Sequence, residues 1–69
     1  MKVRIYGKQG CPYTASARED FGSRGYDVEY VDVVQDPTRL PEMLTLSQGE
    51  RKVPVIDERG KVTIGFGGT

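Results

Sequence analysis

The sequence has no histidine and no tryptophan, a single cysteine, and no excess of either charge. Each absence removes a class of function. Without histidine the usual general base is gone, and with it the hydrolytic Ser-His-Asp and Cys-His arrangements. The same lack, together with one cysteine, leaves no conventional zinc site within one chain. One cysteine also excludes an internal disulfide framework. Ten basic and ten acidic residues cancel, and no face or tail collects one sign, so nucleic acid and membrane are not expected partners. No apolar run is long enough to span a bilayer, and the N-terminus lacks the charged-then-apolar pattern of a secretory signal. The expected location is therefore cytoplasmic. With 69 residues, a single domain over 1–69 is expected, near the size at which one core is only marginally stabilising.

What is present concentrates on Gly10-Cys11-Pro12-Tyr13-Thr14. Upstream, Lys2-Val3-Arg4-Ile5-Tyr6 is a short β-prone run that Gly7 and Gly10 break. Downstream, Pro12 suits the first turn of a helix, where its missing N–H has no intrahelical partner to lose. Cys11 then falls at or next to the N-cap, under unpaired backbone N–H groups and the positive end of the helix dipole. A thiol there ionises more easily than a free cysteine, and the thiolate is the nucleophile. Taken alone, a lone cysteine is most often an inert buried residue, and Lys8 an ordinary solvated lysine. The proline and the flanking glycines instead read as a device that presents Cys11, with Lys8 bringing a cation near its sulfur.

The remaining pattern predicts four strands and two helices. The first strand is Val3–Tyr6. The first helix runs from Pro12 to Arg24, with Tyr13, Ala17 and Phe21 on one face, Arg18, Glu19, Asp20 and Arg24 largely on the other, and Gly25 as its stop. Val28–Val33 alternates as a strand. Asp36 and Pro37 offer an N-cap and a first-turn proline for a second helix reaching Ser47, with Leu40, Met43, Leu44 and Ser47 sharing a face and Gly49 ending it. Val53–Ile56 and Lys61–Ile64 form a hairpin about a turn at Asp57–Gly60. The order β-α-β-α-β-β implies an α/β fold with a mixed sheet and helices packed on it. Pro54 cannot donate to a sheet ladder, so it should open its strand or lie at an edge.

These residues resemble the glutaredoxin family of the thioredoxin-fold superfamily. Lys8-Gln9-Gly10-Cys11-Pro12-Tyr13-Thr14 is similar to that family's lysine and active-site Cys-Pro-Tyr-Cys. Lys52-Val53-Pro54 resembles its Thr-Val-Pro, and Ile64-Gly65 the start of its Ile-Gly-Gly. The resemblance implies a three-layer fold with a four-stranded mixed sheet, a cis Pro54, and a Cys11 that attacks disulfides. It implies no resident cofactor and glutathione as co-substrate. In this scheme Lys8, Tyr13, Lys52, Val53, Pro54 and Gly65 form the glutathione groove, with the Val53 backbone pairing by strand addition. Tyr13 reads equally as simple packing on the helix face, and Lys52 as a solvated lysine. Arg39 is a candidate for the cation that the family's second helix offers to glutathione.

Three departures stand out. Thr14 replaces the second cysteine, which implies a monothiol route in which Thr14 donates to the Cys11 thiolate, unless it serves only as a helix-capping hydroxyl. A related group of small glutaredoxin-like proteins carries selenocysteine before the same Pro-x-Thr arrangement. At the tail, Phe66-Gly67-Gly68-Thr69 offers no aspartate, and the last helix of the fold is truncated or absent. One sheet face is then expected to expose an apolar patch suited to weak homodimerisation or a partner. The leading expectation is a glutathione-dependent thiol–disulfide oxidoreductase acting on disulfide-bearing or glutathionylated proteins. The alternatives are a dimeric, glutathione-assisted iron–sulfur carrier and a non-catalytic peptide-binding module.

Overall fold

The computed structural model describes residues 1–67 and arranges them as four strands and two helices. Strand β1 (Lys2–Gly7) leads through a turn into helix α1 (Pro12–Ser23), followed by strand β2 (Asp27–Asp32). A 3₁₀ turn (Pro37–Arg39) opens helix α2 (Leu40–Ser47), and strands β3 (Val55–Glu58) and β4 (Lys61–Ile64) close the sequence of elements. The sheet order is β2-β1-β3-β4. β2 runs parallel to β1, whereas β3 and β4 are antiparallel additions. This is the expected mixed sheet, and α1 and α2 pack on its opposite faces.

Side-chain alternation along the strands divides the core in two. Val3, Ile5 and Ile56 point to one face and pack with Ala17 and Phe21 of α1. Tyr6, Val31, Val33 and Val55 point to the other and pack with Met43 of α2, flanked by Leu40 and Leu44. β1, at the centre, serves both cores.

α1 differs from expectation at one position. Its buried stripe is Thr14, Ala17 and Phe21, while Tyr13 is 41 % exposed. The reason lies in β1: a Cβ added to Gly7 would lie 2.6 Å from Thr14 Oγ1, so the helix approaches the strand closely at Thr14. That close approach turns Tyr13 outward. The helix ends as expected at Gly25, whose φ of +84° needs no Cβ accommodation, and the Tyr26 N–H reaches back to the Phe21 carbonyl at 3.0 Å.

The second helix is not continuous from Pro37. Pro41 cannot supply the N–H that an unbroken α-helix would direct to the Pro37 carbonyl, so the chain takes a 3₁₀ turn first and Pro41 falls at the second position of α2. β3 starts after Pro54, as a residue without an N–H requires. It extends through Glu58, because Asp57 pairs with Val62 and Glu58 with Lys61 across the hairpin. The turn itself is Arg59–Gly60, both with positive φ.

The tail also modifies the expected exposed patch. Phe66 packs against the α1-side core, its ring 6.4 Å from that of Phe21. The large apolar residues left exposed are Met1, Tyr13, Val34 and Ile64, spread over four segments.

Candidate active site

Strand register gathers the site at one end of the sheet. β1 ends at Gly7, opposite Asp32 of the parallel β2. Tyr6 pairs with Val55, so Val53 and Pro54 lie just beyond the same end of β1. Val55 pairs with Ile64, and the Gly65 N–H donates to the Pro54 carbonyl at 2.7 Å. The loop from Lys8 to Cys11 leaves from this end as well. It is the carboxyl end of the two parallel strands, where open α/β sheets place their ligand sites.

Cys11 is the N-cap residue of α1, with extended backbone (φ −91°, ψ 111°), and Pro12 opens the first turn. Its carbonyl accepts the Ala15 N–H at 3.1 Å. The thiol is partly exposed. Its pKa is lowered, chiefly by the Thr14 hydroxyl and the Thr14 N–H; partial desolvation opposes them, and the Tyr13 N–H and the Lys8 charge add to the lowering. This is the electrostatic setting that favours a thiolate at a helix N-terminus.

Thr14 Oγ1 is buried and, in the resting geometry, has no hydrogen-bond partner at normal distance. Its donor is therefore uncommitted when charge develops on the neighbouring sulfur. Gly7 makes this possible by leaving room for the Thr14 side chain.

The other expected residues divide by exposure. Pro54, preceded by a cis peptide bond, and Gly65 are buried and hydrogen-bonded to one another through their backbones. Val53 is half-buried, and Lys8, Tyr13 and Lys52 are exposed. Arg39 is not available as a free cation: its guanidinium holds both oxygens of Glu42, at 2.9 and 2.8 Å. The expectation about the tail extends to Gly68 and Thr69, which lie outside the described residues.

Two residues of β2 join this end of the molecule without having been anticipated. Asp32 accepts the Val34 and Gln35 N–H groups at 2.9 Å each and the Tyr30 hydroxyl at 3.2 Å. Its carboxyl is held below the ordinary aspartate range, first by the Gln35 N–H, with the Val34 N–H, the Tyr30 hydroxyl and, last, the Gln9 N–H adding to the effect. Burial is the main cause of a raised Tyr30 pKa, and the negative charge at Cys11 adds to it, which places the phenol within electrostatic range of the sulfur. The available signal was positional: Tyr30 and Asp32 stand two apart at the carboxyl end of a strand parallel to β1.

A cysteine at a helix N-cap, set at the carboxyl end of the parallel strands in a sheet with helices on both faces, defines a thioredoxin-like redox fold. A family model described as Glutaredoxin matches residues 3–62. The chain belongs to the glutaredoxin family. Among solved structures, the glutaredoxin Grx-1 of Archaeoglobus fulgidus superposes with a TM-score of 0.83 at 23 % identity, over 94 % of this chain and 75 % of that one, a likeness of fold. The glutaredoxin-like NrdH-redoxin of Escherichia coli, a protein with a thioredoxin-like activity profile, gives 0.79 at 29 % identity over 96 % and 84 %. Glutaredoxin 1 of Francisella tularensis, complexed with cacodylate, gives 0.65 at 25 % identity over 94 % and 83 %. No curated protein matches the sequence.

Proposed function

We propose that this glutaredoxin-family redox protein is a monothiol, glutathione-linked thiol–disulfide oxidoreductase. The observation that carries the reading is a single cysteine, at the N-cap of α1, with Thr14 where a second cysteine would close a disulfide. Such a thiol cannot be resolved within the chain. The Cys11 thiolate attacks the glutathionyl sulfur of a mixed disulfide, the substrate S–S bond breaks, and the target leaves as a thiolate that takes up a proton. A second glutathione thiolate then attacks the Cys11–glutathione disulfide, restoring Cys11 and releasing oxidised glutathione. The Thr14 donor stabilises sulfur charge at both steps.

The exposed ammonium groups of Lys8 and Lys52 suit glutathione carboxylates, Tyr13 offers a flat wall, and the Val53–Pro54 segment beside Gly65 offers an edge for peptide-like pairing. The thioredoxin-like profile of the Escherichia coli NrdH-redoxin makes the electron donor the point to measure. The test is reduction of the mixed disulfide of glutathione and 2-mercaptoethanol. Wild type is expected to turn it over with glutathione as reductant, and Cys11→Ser to fall to the uncatalysed background. A wild-type protein that is inert with glutathione but active with a dithiol reductant overturns the glutathione assignment.

A further inference from the structure

On the β2 side of Cys11, away from Pro54 and Gly65, an open groove of about 460 Å³ runs between α1 and β2. One wall is the α1 face bearing Ala15, Arg18, Glu19 and Gly22, and the other includes Val28 and Tyr30. Ala15, Arg18 and Gly22 recur at three- and four-residue steps, which puts them on one side of the helix that Cys11 caps. Ala15 and Gly22 are small, and a Cβ added to Gly22 would meet nothing within 4 Å, so this wall is clear.

Arg4, Arg24 and Arg39 are each engaged by carboxylates, whereas Arg18, Arg51 and Arg59 are not; of these three, Arg18 is the one seated on an aromatic ring among the described residues. Arg18 makes no ion pair among the described residues; its guanidinium carbon lies 3.9 Å from the centroid of the Tyr30 ring. Tyr30 is fixed in turn by donating its hydroxyl to Asp32 at 3.2 Å. Stacking of this kind holds the guanidinium plane in place while leaving its N–H donors unused. Asp32 makes no ion pair with Arg18; its oxygens accept from Val34, Gln35 and Tyr30 instead.

We propose that the Arg18–Tyr30 shelf binds the polypeptide part of the substrate by pairing with an acidic side chain near the target cysteine. The inference rests on the thiol–disulfide exchange reading above and adds the substrate class. Arg18 lies seven residue steps beyond Cys11 along α1, a rise of about 10.5 Å. An extended chain covers that distance in about three residues. The favoured target therefore carries Asp or Glu about three residues from its modified cysteine. The groove recruits and orients the target, and the sulfur exchange is the one already written, with no further oxidant or reductant.

Two glutathionylated peptides test this, identical except for Glu or Gln three positions from the cysteine, alongside the small glutathione–mercaptoethanol disulfide. Wild type is expected to favour the acidic peptide in kcat/KM by about threefold to fivefold, the scale of one half-exposed charge-assisted contact. Arg18→Gln should erase that preference and leave the small disulfide unaffected. Equal rates on both peptides for wild type, or a preference that survives in Arg18→Gln, overturn the proposal. Binding of the reduced acidic peptide to Cys11→Ser protein, followed by amide shifts, keeps the two readings apart. Failure to turn over any disulfide removes the catalytic reading, whereas absence of shifts at Arg18 and Tyr30 removes the shelf.

Discussion

A buried hydroxyl without a partner ordinarily costs about 1–3 kcal/mol, and Thr14 Oγ1 is in that position. Ionised Cys11 supplies the missing acceptor, so the same atom that weakens the resting fold lowers the thiol pKa. Thr14→Val keeps the branched shape and removes the donor. The variant should need a higher pH for half-maximal alkylation by iodoacetamide, because loss of the donor raises the thiol pKa toward that of a free cysteine. Its urea midpoint should hold steady or rise. An unmoved alkylation profile would assign the lowering to the helix N–H groups instead. Cys11 and Pro12 were legible in the sequence because an N-cap followed by proline is a local arrangement. The burial of Thr14 was not, since it depends on a side chain missing from Gly7, seven residues upstream on another element. Tyr30 and Asp32 escaped for the same reason: they reach the site through the parallel β1–β2 register.

Among the elements, the β3–β4 hairpin carries the clearest correctable strain. Arg59 has φ +56° and Gly60 φ +100°, the pairing a two-residue turn of the twisted-hairpin type demands. Arginine pays a steric penalty there that asparagine largely avoids. Arg59→Asn should therefore stabilise the fold by about 0.5–1 kcal/mol, read as a rise in Tm or urea midpoint with unchanged slope; a loss of stability would mean that the arginine side chain makes up the difference elsewhere. Periodicity and helix stops made every strand and helix legible, but their edges moved where tertiary pairing outvoted composition. Asp57 and Glu58 have the composition of a turn, yet ladder partners Val62 and Lys61 keep them in β3. The second helix was legible from Asp36, Pro37 and its shared apolar face, whereas the 3₁₀ turn that Pro41 imposes ahead of α2 was not.

For the molecule as a whole, one charge network joins α2 to the sheet. Tyr6, 1 % exposed, donates its hydroxyl to Glu42 at 2.5 Å. Arg39 grips the same carboxylate, and Arg4 reaches both Glu29 and Glu42, at 3.1 and 3.9 Å. Glu42 is held at about 2 against an ordinary 4.5, first by Arg39 and then by Tyr6. A depressed carboxylate adds stability that is fully present above its unfolded-state pKa and is lost as pH falls through the folded one. The Glu42 contribution should fade between about pH 5 and pH 2. Because that side chain is 39 % exposed, solvent screening limits the effect to about 1 kcal/mol. Glu42→Gln should thus lower the urea midpoint at pH 7 and differ little from wild type at pH 2.5; an equal deficit at both pH values would trace the loss to packing.

β2 lies at one margin of the sheet, and three of its six residues, Asp27, Glu29 and Asp32, are acidic. Glu29 is paired with Arg4 and Arg39, but two molecules approaching margin to margin would still bring the Asp27 and Asp32 carboxylates of each toward those of the other, where like charges repel. The backbone there stays open to solvent while ribbon-like growth from copy to copy is discouraged. Concentrated salt, by screening those charges, should make the protein more prone to precipitate.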